Sequence, residues 1–150
     1  NPCKQIGRKN KERPRTAVPE TAELEAFAQW MQAQGGQRQV IGMMAEFIAL
    51  TGNRRVEFMR LEREAVDLAT GIIRTQRAKQ HDGRVKAEEI IIDPALHSLL
   101  ERILTLPRPE GSSHLFLTRD GNPYSDSAFQ STWQRAIVKA RAEGVRRSED

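Results

Sequence analysis

The sequence predicts a mainly α-helical protein with a small antiparallel β-sheet, an α+β fold. Apolar residues recur at helical spacing through most of the chain. Two β-branched runs, at 72–75 and 90–92, flank the turn signal Asp82-Gly83, as expected of a hairpin. The length of 150 residues and the hydrophobic content of 38% suit a single domain with a substantial core.

Three helices are predicted in the first half of the chain. The first covers about 20–33 and begins with Thr21 or a neighbour as cap. Its predicted buried face carries Leu24, Phe27, Ala28 and Met31. The second covers about 37–51 and is apolar nearly all round, so we expect it at the centre of the fold. The third covers about 54–62.

The second half predicts two more helices and a short strand after the hairpin. Asp93-Pro94 is typical of a helix start, because proline is favoured in the first turn. The buried face of this helix is predicted to carry Leu96, Leu99, Leu100, Ile103 and Leu104. Residues 115–117 predict the strand, and Ser125 or Asp126 caps a last helix that extends to about 143.

Positive charge is concentrated in two clusters. Residues 1–16 carry a net charge of +5, and residues 74–86 carry +4. The basic residues include Lys9, Lys11, Arg13 and Arg15 in the first cluster, and Arg74, Arg77, Lys79, Arg84 and Lys86 in the second. Such clusters indicate a polyanionic partner. The alternative is that basic segments only keep the protein soluble.

Cysteine content and hydropathy disfavour several other classes of protein. A single cysteine, Cys3, allows neither a disulfide framework nor a zinc site, and it is typical of a reducing cytoplasm. No apolar run approaches the ~20 residues that a membrane span needs. No signal peptide is recognisable, so we expect a cytoplasmic protein without a membrane partner.

The segment 51–61, Thr-Gly-Asn-Arg-Arg-Val-Glu-Phe-Met-Arg-Leu, is the most informative about function. The glycine at 52 follows an apolar run, which predicts a helix end, a sharp corner and a new helix beginning at Arg54. An arginine held at such a corner suits a bidentate grip on a phosphate. The alternative is that Arg54 and Glu57, three residues apart, form an ordinary surface ion pair.

This segment resembles the first arginine box of the tyrosine recombinases, the phage integrase family, in its Thr-Gly-x-Arg-x-x-Glu pattern. Further segments are similar to passages of that family, in the family's order. They are the hairpin with Lys79, the passage from Leu115-Phe116 to Gly121-x-Pro123, and the helix that contains Trp133. Residues 1–18 resemble the linker that leads into the family's catalytic domain.

The resemblance implies a recombinase catalytic-domain fold and duplex DNA as partner, with self-assembly on DNA. It implies that Arg54 opposes charge on the scissile phosphate, that Glu57 orients the active-site cations, and that Lys79 protonates the leaving 5′-oxygen. Arg55 remains an alternative to Arg54, and Lys86 an alternative to Lys79. The basic residues of the two clusters are expected to contact DNA phosphates. The mechanism implies no metal and no cofactor.

The family's second catalytic box, His-x-x-Arg, and its tyrosine nucleophile follow the helix that corresponds to the one with Trp133, and neither has a match after that helix here. The one His-x-x-Arg string, from His81 to Arg84, lies ahead of that helix, at the turn of the predicted hairpin. Residues 1–18 are therefore interpreted as a basic interdomain arm and 19–150 as the N-terminal part of a catalytic domain. We expect these 150 residues to bind DNA at most, without cutting it. The resemblance also implies a bacterial or phage origin. The alternative function is a non-catalytic DNA-binding or interaction module on the same scaffold.

Overall fold

Five helices and three short strands make up the described residues, 20–78 and 85–145, of a computed structural model. The helices are α1 (Thr21–Ala33), α2 (Gly36–Thr51), α3 (Arg55–Phe58), α4 (Pro94–Leu104) and α5 (Asp126–Ala142). The strands are β1 (Val66–Asp67), β2 (Ile72–Ala78) and β3 (Val85–Ile91), and a 3-10 turn covers Arg63–Ala65. The predicted fold class, mainly α with a small antiparallel sheet, is confirmed.

Helix α2 lies at the centre of the helical layer, as predicted, and packs against α1, α4 and α5. Its side chains Ile41, Met44 and Phe47 are fully buried. Gly42 allows α1 to approach closely, because a Cβ atom there would lie 2.8 Å from the carbonyl oxygen of Ala28. Packing of α1 on α2 therefore requires a glycine at position 42 in addition to the apolar side chains of the core.

The antiparallel sheet has the strand order β1-β2-β3, and β2 and β3 form the predicted hairpin. Ile73 of β2 pairs with Ile90 of β3 and is fully buried against the helical layer. Helix α4 follows the hairpin and begins as predicted. The carboxylate of Asp93 accepts a hydrogen bond of 2.8 Å from the backbone N–H of Leu96, and Pro94 occupies the first turn.

Three predictions made from the sequence were wrong. Leu24 is 42% exposed, because it lies at a groove between α1, α2 and α5 that no described residue fills. The third helix ends at Phe58, since the N–H of Leu61 donates to the carbonyl oxygen of Phe58 at 3.1 Å, three residues back, and Glu62 pairs with His114 in an isolated bridge. Residues 115–117 form no regular strand, since only isolated bridges occur here, one between His114 and Glu62 and one between Leu117 and Pro123.

Candidate functional site

The corner between α2 and α3 is fixed by backbone hydrogen bonds. Gly52 adopts a left-handed conformation with φ of 65°, and its N–H donates to the carbonyl oxygen of Ile48 at 2.8 Å. The hydroxyl of Thr51 donates to the carbonyl oxygen of Phe47 at 2.8 Å and accepts from the N–H of Asn53 at 3.4 Å. The chain thus turns sharply within two residues, as the glycine predicted.

Arg54 is the last residue before α3, and its side chain is exposed. Its backbone N–H donates to the Glu57 carboxylate at 3.1 Å, and the N–H of Glu57 donates to the carbonyl oxygen of Arg54 at 2.9 Å. The bond from the Arg54 N–H to Glu57 is one half of a capping box, in which a Glu of the first turn reaches back to the residue before the helix. Glu57 therefore fixes the backbone from which the Arg54 guanidinium extends.

Arg55, the next residue, is bound within the protein. Its Nε lies 2.6 Å from Oδ1 of Asp126, and its Nη2 donates to Oδ2 of Asp126 at 2.8 Å. Its guanidinium carbon also lies 5.7 Å from the ring centre of Phe129, within cation–π range. Of the two adjacent arginines, Arg54 is therefore the more accessible to a ligand.

An aromatic cluster packs beneath the corner between α2 and α3, on the side of the core. The ring centre of Phe58, in α3, lies 6.2 Å from that of Phe47 and 5.8 Å from that of Phe116. Phe58 also lies 6.3 Å from Phe129, which stacks on Trp133 at 5.9 Å. Because close-packed aromatic rings permit little movement, the cluster holds α3 against α2 and α5.

The predicted general acid and most of the predicted DNA-contacting residues lie outside the residues that the structure describes. Residues Lys79, Arg84, Lys9, Lys11, Arg13 and Arg15 fall outside the described ranges. For Arg77 and Lys86 the backbone register places the two residues opposite each other across the hairpin. That the hairpin brings Lys79 close to Arg54 therefore stays a prediction.

Arg74 is the one predicted DNA contact whose side chain is described. It is exposed, and its Nη1 lies 3.8 Å from Oδ2 of Asp67. The pKa of Asp67 is lowered, first by the hydrogen bond from the N–H of Thr70 and also by the charge of Arg74. The Asp67 carboxylate is therefore ionised at neutral pH and offsets part of the charge of Arg74.

Tyr124, the single tyrosine of the sequence, is a core residue. Its side chain is buried, its phenol donates to the amide oxygen of Gln37, and burial raises its pKa. A buried phenol that keeps its proton is a poor nucleophile. This environment agrees with the absence of a sequence match to the family's nucleophile.

Two absences concern only the part of the chain that the structure describes. Within 20–78 and 85–145, no cluster of three or more His, Cys, Asp or Glu side chains could hold a metal ion. No helix in these ranges has the length and apolar character needed to cross a membrane.

Asp126 is the site residue that the sequence analysis missed. It was considered only as a possible cap of α5, whereas Ser125 is the cap and Asp126 binds Arg55. The two partners are 71 residues apart. No periodicity or short motif links positions so distant, so only the tertiary structure reveals the pair.

Comparison with known proteins supports the fold from an independent direction. No protein-family model and no curated protein sequence matches the chain. Among solved structures, the Tn1549 transposon integrase in complex with circular intermediate DNA matches with a TM-score of 0.67 and 18% identity over 90% of this chain. XerA recombinase matches with a TM-score of 0.62 and 17% identity over 88% of this chain. XerH site-specific recombinase bound to difH substrate matches with a TM-score of 0.58 and 22% identity over 97% of this chain.

The chain has the fold of the tyrosine recombinase catalytic domain, so the resemblance seen in the sequence motifs is confirmed at the level of fold. It spans about half the length of these solved chains, namely 47%, 45% and 41% of the Tn1549 integrase, XerA and XerH. The activity and partners of a whole recombinase are therefore a matter of proposal for this chain.

Proposed function

We propose that this chain forms part of the catalytic domain of a site-specific DNA recombinase that breaks and rejoins duplex DNA through a 3′-phosphotyrosyl intermediate. The observation that carries the proposal is the exposed Arg54 guanidinium at a corner fixed by Glu57 and Gly52, in this fold. The Thr-Gly-x-Arg-x-x-Glu pattern around it supports the same function.

In this proposal Arg54 binds the non-bridging oxygens of the scissile phosphate and opposes the negative charge that develops there. A tyrosine oxygen attacks phosphorus, the bond to the 5′-oxygen breaks, and that oxygen takes up a proton as it leaves. Lys79 is the proposed proton donor, with Lys86 as the alternative. Glu57 orients the arginine and takes no proton.

The attacking tyrosine and a second arginine come, in this proposal, from outside these 150 residues. The one His-x-x-Arg string of the sequence, His81 to Arg84, precedes the helix with Trp133 and so does not match the family's second box, and the one tyrosine, Tyr124, is buried. The 150-residue chain is accordingly proposed to bind duplex DNA without cutting it. Self-assembly on attachment sites is proposed for the complete recombinase.

The two basic clusters are proposed to supply contacts to the DNA backbone. Residues 1–18 act as a basic arm, and 19–150 form the catalytic-domain part. Arg74 has the exposure that a phosphate contact requires. Such contacts give affinity and orientation but no sequence preference, so the proposed binding is strongly dependent on salt.

The Arg54→Ala variant of the 150-residue chain tests the proposal through its affinity for a blunt duplex of mixed sequence. We expect an affinity loss of about tenfold, because one charge-assisted contact is removed. The slope of log affinity against log salt is expected to become shallower by about 0.9 if one phosphate contact is lost. Both quantities are measured by fluorescence anisotropy over a salt series.

Arg135→Ala is the matched control, since Arg135 is an exposed arginine whose side chain, among the described residues, donates to the carbonyl oxygen of Ser131 in its own helix and to no other group. Equal losses for both variants would refute a specific role of Arg54. In a longer form that carries the nucleophile, Arg54→Ala is expected to reduce covalent DNA adducts by about 10²–10³-fold. Undiminished adduct formation would refute the catalytic role of Arg54, and no adducts from the unmutated longer form would leave the non-catalytic DNA-binding module as the function.

A further inference from the structure

The two adjacent arginines at the corner have opposite environments, and this difference has a functional consequence. Arg54 is exposed, whereas both nitrogens on one side of the Arg55 guanidinium contact the Asp126 carboxylate, at 2.6 and 2.8 Å. Of these two contacts only the one from Nη2 has hydrogen-bond geometry, and the approach of Nε to the same carboxylate adds an ion-pair contact. Arg55 is thus held in one orientation by a residue of another helix.

Asp126 is itself well placed to hold that orientation. It is the first residue of α5, where the positive end of the helix dipole favours a carboxylate. Three residues further along α5, Phe129 lies under the Arg55 guanidinium at 5.7 Å. The first turn of α5 therefore contacts Arg55 in two ways: Asp126 pairs with its charge, and the ring of Phe129 lies against the face of its guanidinium.

Helix α3 needs such support, because it contains only the four residues Arg55–Phe58. A helix of one turn has too few internal hydrogen bonds to be stable alone. Phe58 anchors it to the core on one side. The Arg55–Asp126 pair anchors its first residue on the other side, directly beside Arg54.

We infer that Arg55 and Asp126 are a positioning pair, which ties the corner to α5 and withholds Arg55 from the phosphate so that Arg54 alone binds it. This inference rests on the proposed function of Arg54. A free Arg55 would offer the phosphate a second guanidinium one residue away, and binding in that register would displace Arg54 from the reacting oxygens. Asp126 removes this competition.

The test is a double-mutant cycle on DNA affinity, with the 150-residue chain and a blunt duplex of mixed sequence. The measured quantity is the affinity loss caused by Arg54→Ala, expected to be about tenfold in the wild-type background. In the Asp126→Asn background we expect this loss to fall below about threefold, because Arg54 is no longer the preferred contact. Asp126→Glu keeps the carboxylate and is expected to retain most of the loss.

Glu46→Gln is the matched control. Glu46 accepts hydrogen bonds from Arg102 at 2.9 and 3.1 Å, so this variant also removes one negative charge and weakens an arginine–carboxylate pair between helices. The loss caused by Arg54→Ala is expected to stay at its wild-type value there. If Asp126 only stabilises the fold, Asp126→Asn would lower thermal stability but leave the affinity loss caused by Arg54→Ala unchanged.

An undiminished loss in Asp126→Asn overturns the positioning pair and leaves the proposed function of Arg54 intact. If Arg54→Ala has no effect in the wild-type chain, the proposed function itself fails, and the pair with it. Should Asp126→Asn not fold, as judged by circular dichroism, Asp126→Ser is measured instead, because it also removes the carboxylate that binds Arg55. An undiminished affinity loss for Arg54→Ala in that background also overturns the inference.

Discussion

At the scale of single residues, chemically similar side chains have different roles because of their surroundings. Arg54 and Arg55 are neighbours in sequence, yet one is exposed and the other is bound to Asp126. Tyr124 carries the functional group of a nucleophile, but burial and its hydrogen bond to Gln37 make it structural. Residue type alone therefore does not assign a role at this site.

The first prediction concerns the pH dependence of stability that Tyr124 causes. Its pKa is raised in the folded state, so the unfolded chain loses the phenolic proton at lower pH than the folded chain does. This contribution to stability is complete below about pH 10 and is lost as the pH rises further. We expect Tyr124→Phe to show a smaller decrease in unfolding free energy between pH 8 and 11 than the wild type.

The measurement is urea denaturation followed by circular dichroism at several pH values. At neutral pH, Tyr124→Phe is expected to cost about 1 kcal/mol, because the amide oxygen of Gln37 loses its donor. An equal decrease with pH in both proteins would contradict the assignment of this dependence to Tyr124.

At the scale of elements, local signals define where helices start, whereas neighbouring segments decide where they end. Helix α4 begins at the Asp93 cap with Pro94 in its first turn, as the sequence indicates. Helix α3 ends early, and Glu62, predicted to be helical, pairs instead with His114 in an isolated bridge. A cap acts within one turn of the chain, but the partner of Glu62 comes from a distant segment.

The second prediction concerns the Asp93 cap. Asp93→Ala is expected to lower the unfolding free energy by about 1 kcal/mol, since the N–H of Leu96 loses its acceptor. Ser98→Ala, at an exposed position in the same helix, is the control and is expected to change stability by less than about 0.5 kcal/mol. Thermal and chemical denaturation measure both effects. Equal stability of the two variants would show that the cap contributes nothing.

At the scale of the whole molecule, positive charge is concentrated in the first residues of the chain, which the sequence analysis interpreted as a basic arm. Residues 1–16 carry a net charge of +5, while the entire chain carries +4. The remaining residues are thus nearly neutral in sum. Long-range attraction to DNA is expected to come mainly from the arm, and orientation from the folded part.

The third prediction therefore concerns removal of residues 1–18. The shortened chain is expected to keep its thermal stability, to bind a DNA duplex more weakly, and to show a shallower salt dependence. Each lost phosphate contact reduces the slope by about 0.9. The comparison of Arg54→Ala in the full and shortened chains serves as control, because its effect is expected to be the same in both. An unchanged slope would show that the arm does not contact DNA.

Much of the fold followed from local patterns. The 3.6-residue period gave the helices other than α3 close to their observed bounds, and Asp82-Gly83 with its β-branched flanks gave the hairpin. Leu24 was misassigned because helical periodicity identifies an apolar face without showing whether another element covers it. The period of a helix is set by its own backbone, whereas burial depends on the packing of distant segments.

The sequence by itself determined the class of fold, the Gly52 corner and the placement of Arg54 there, since all three depend on residues within a few positions of one another. Only the tertiary structure decided which of the two arginines is accessible. Asp126 binds Arg55 from 71 positions along the chain, and Tyr124 donates a hydrogen bond to Gln37, 87 positions away. Contacts of this kind arise from chain packing, and no local rule of sequence encodes them.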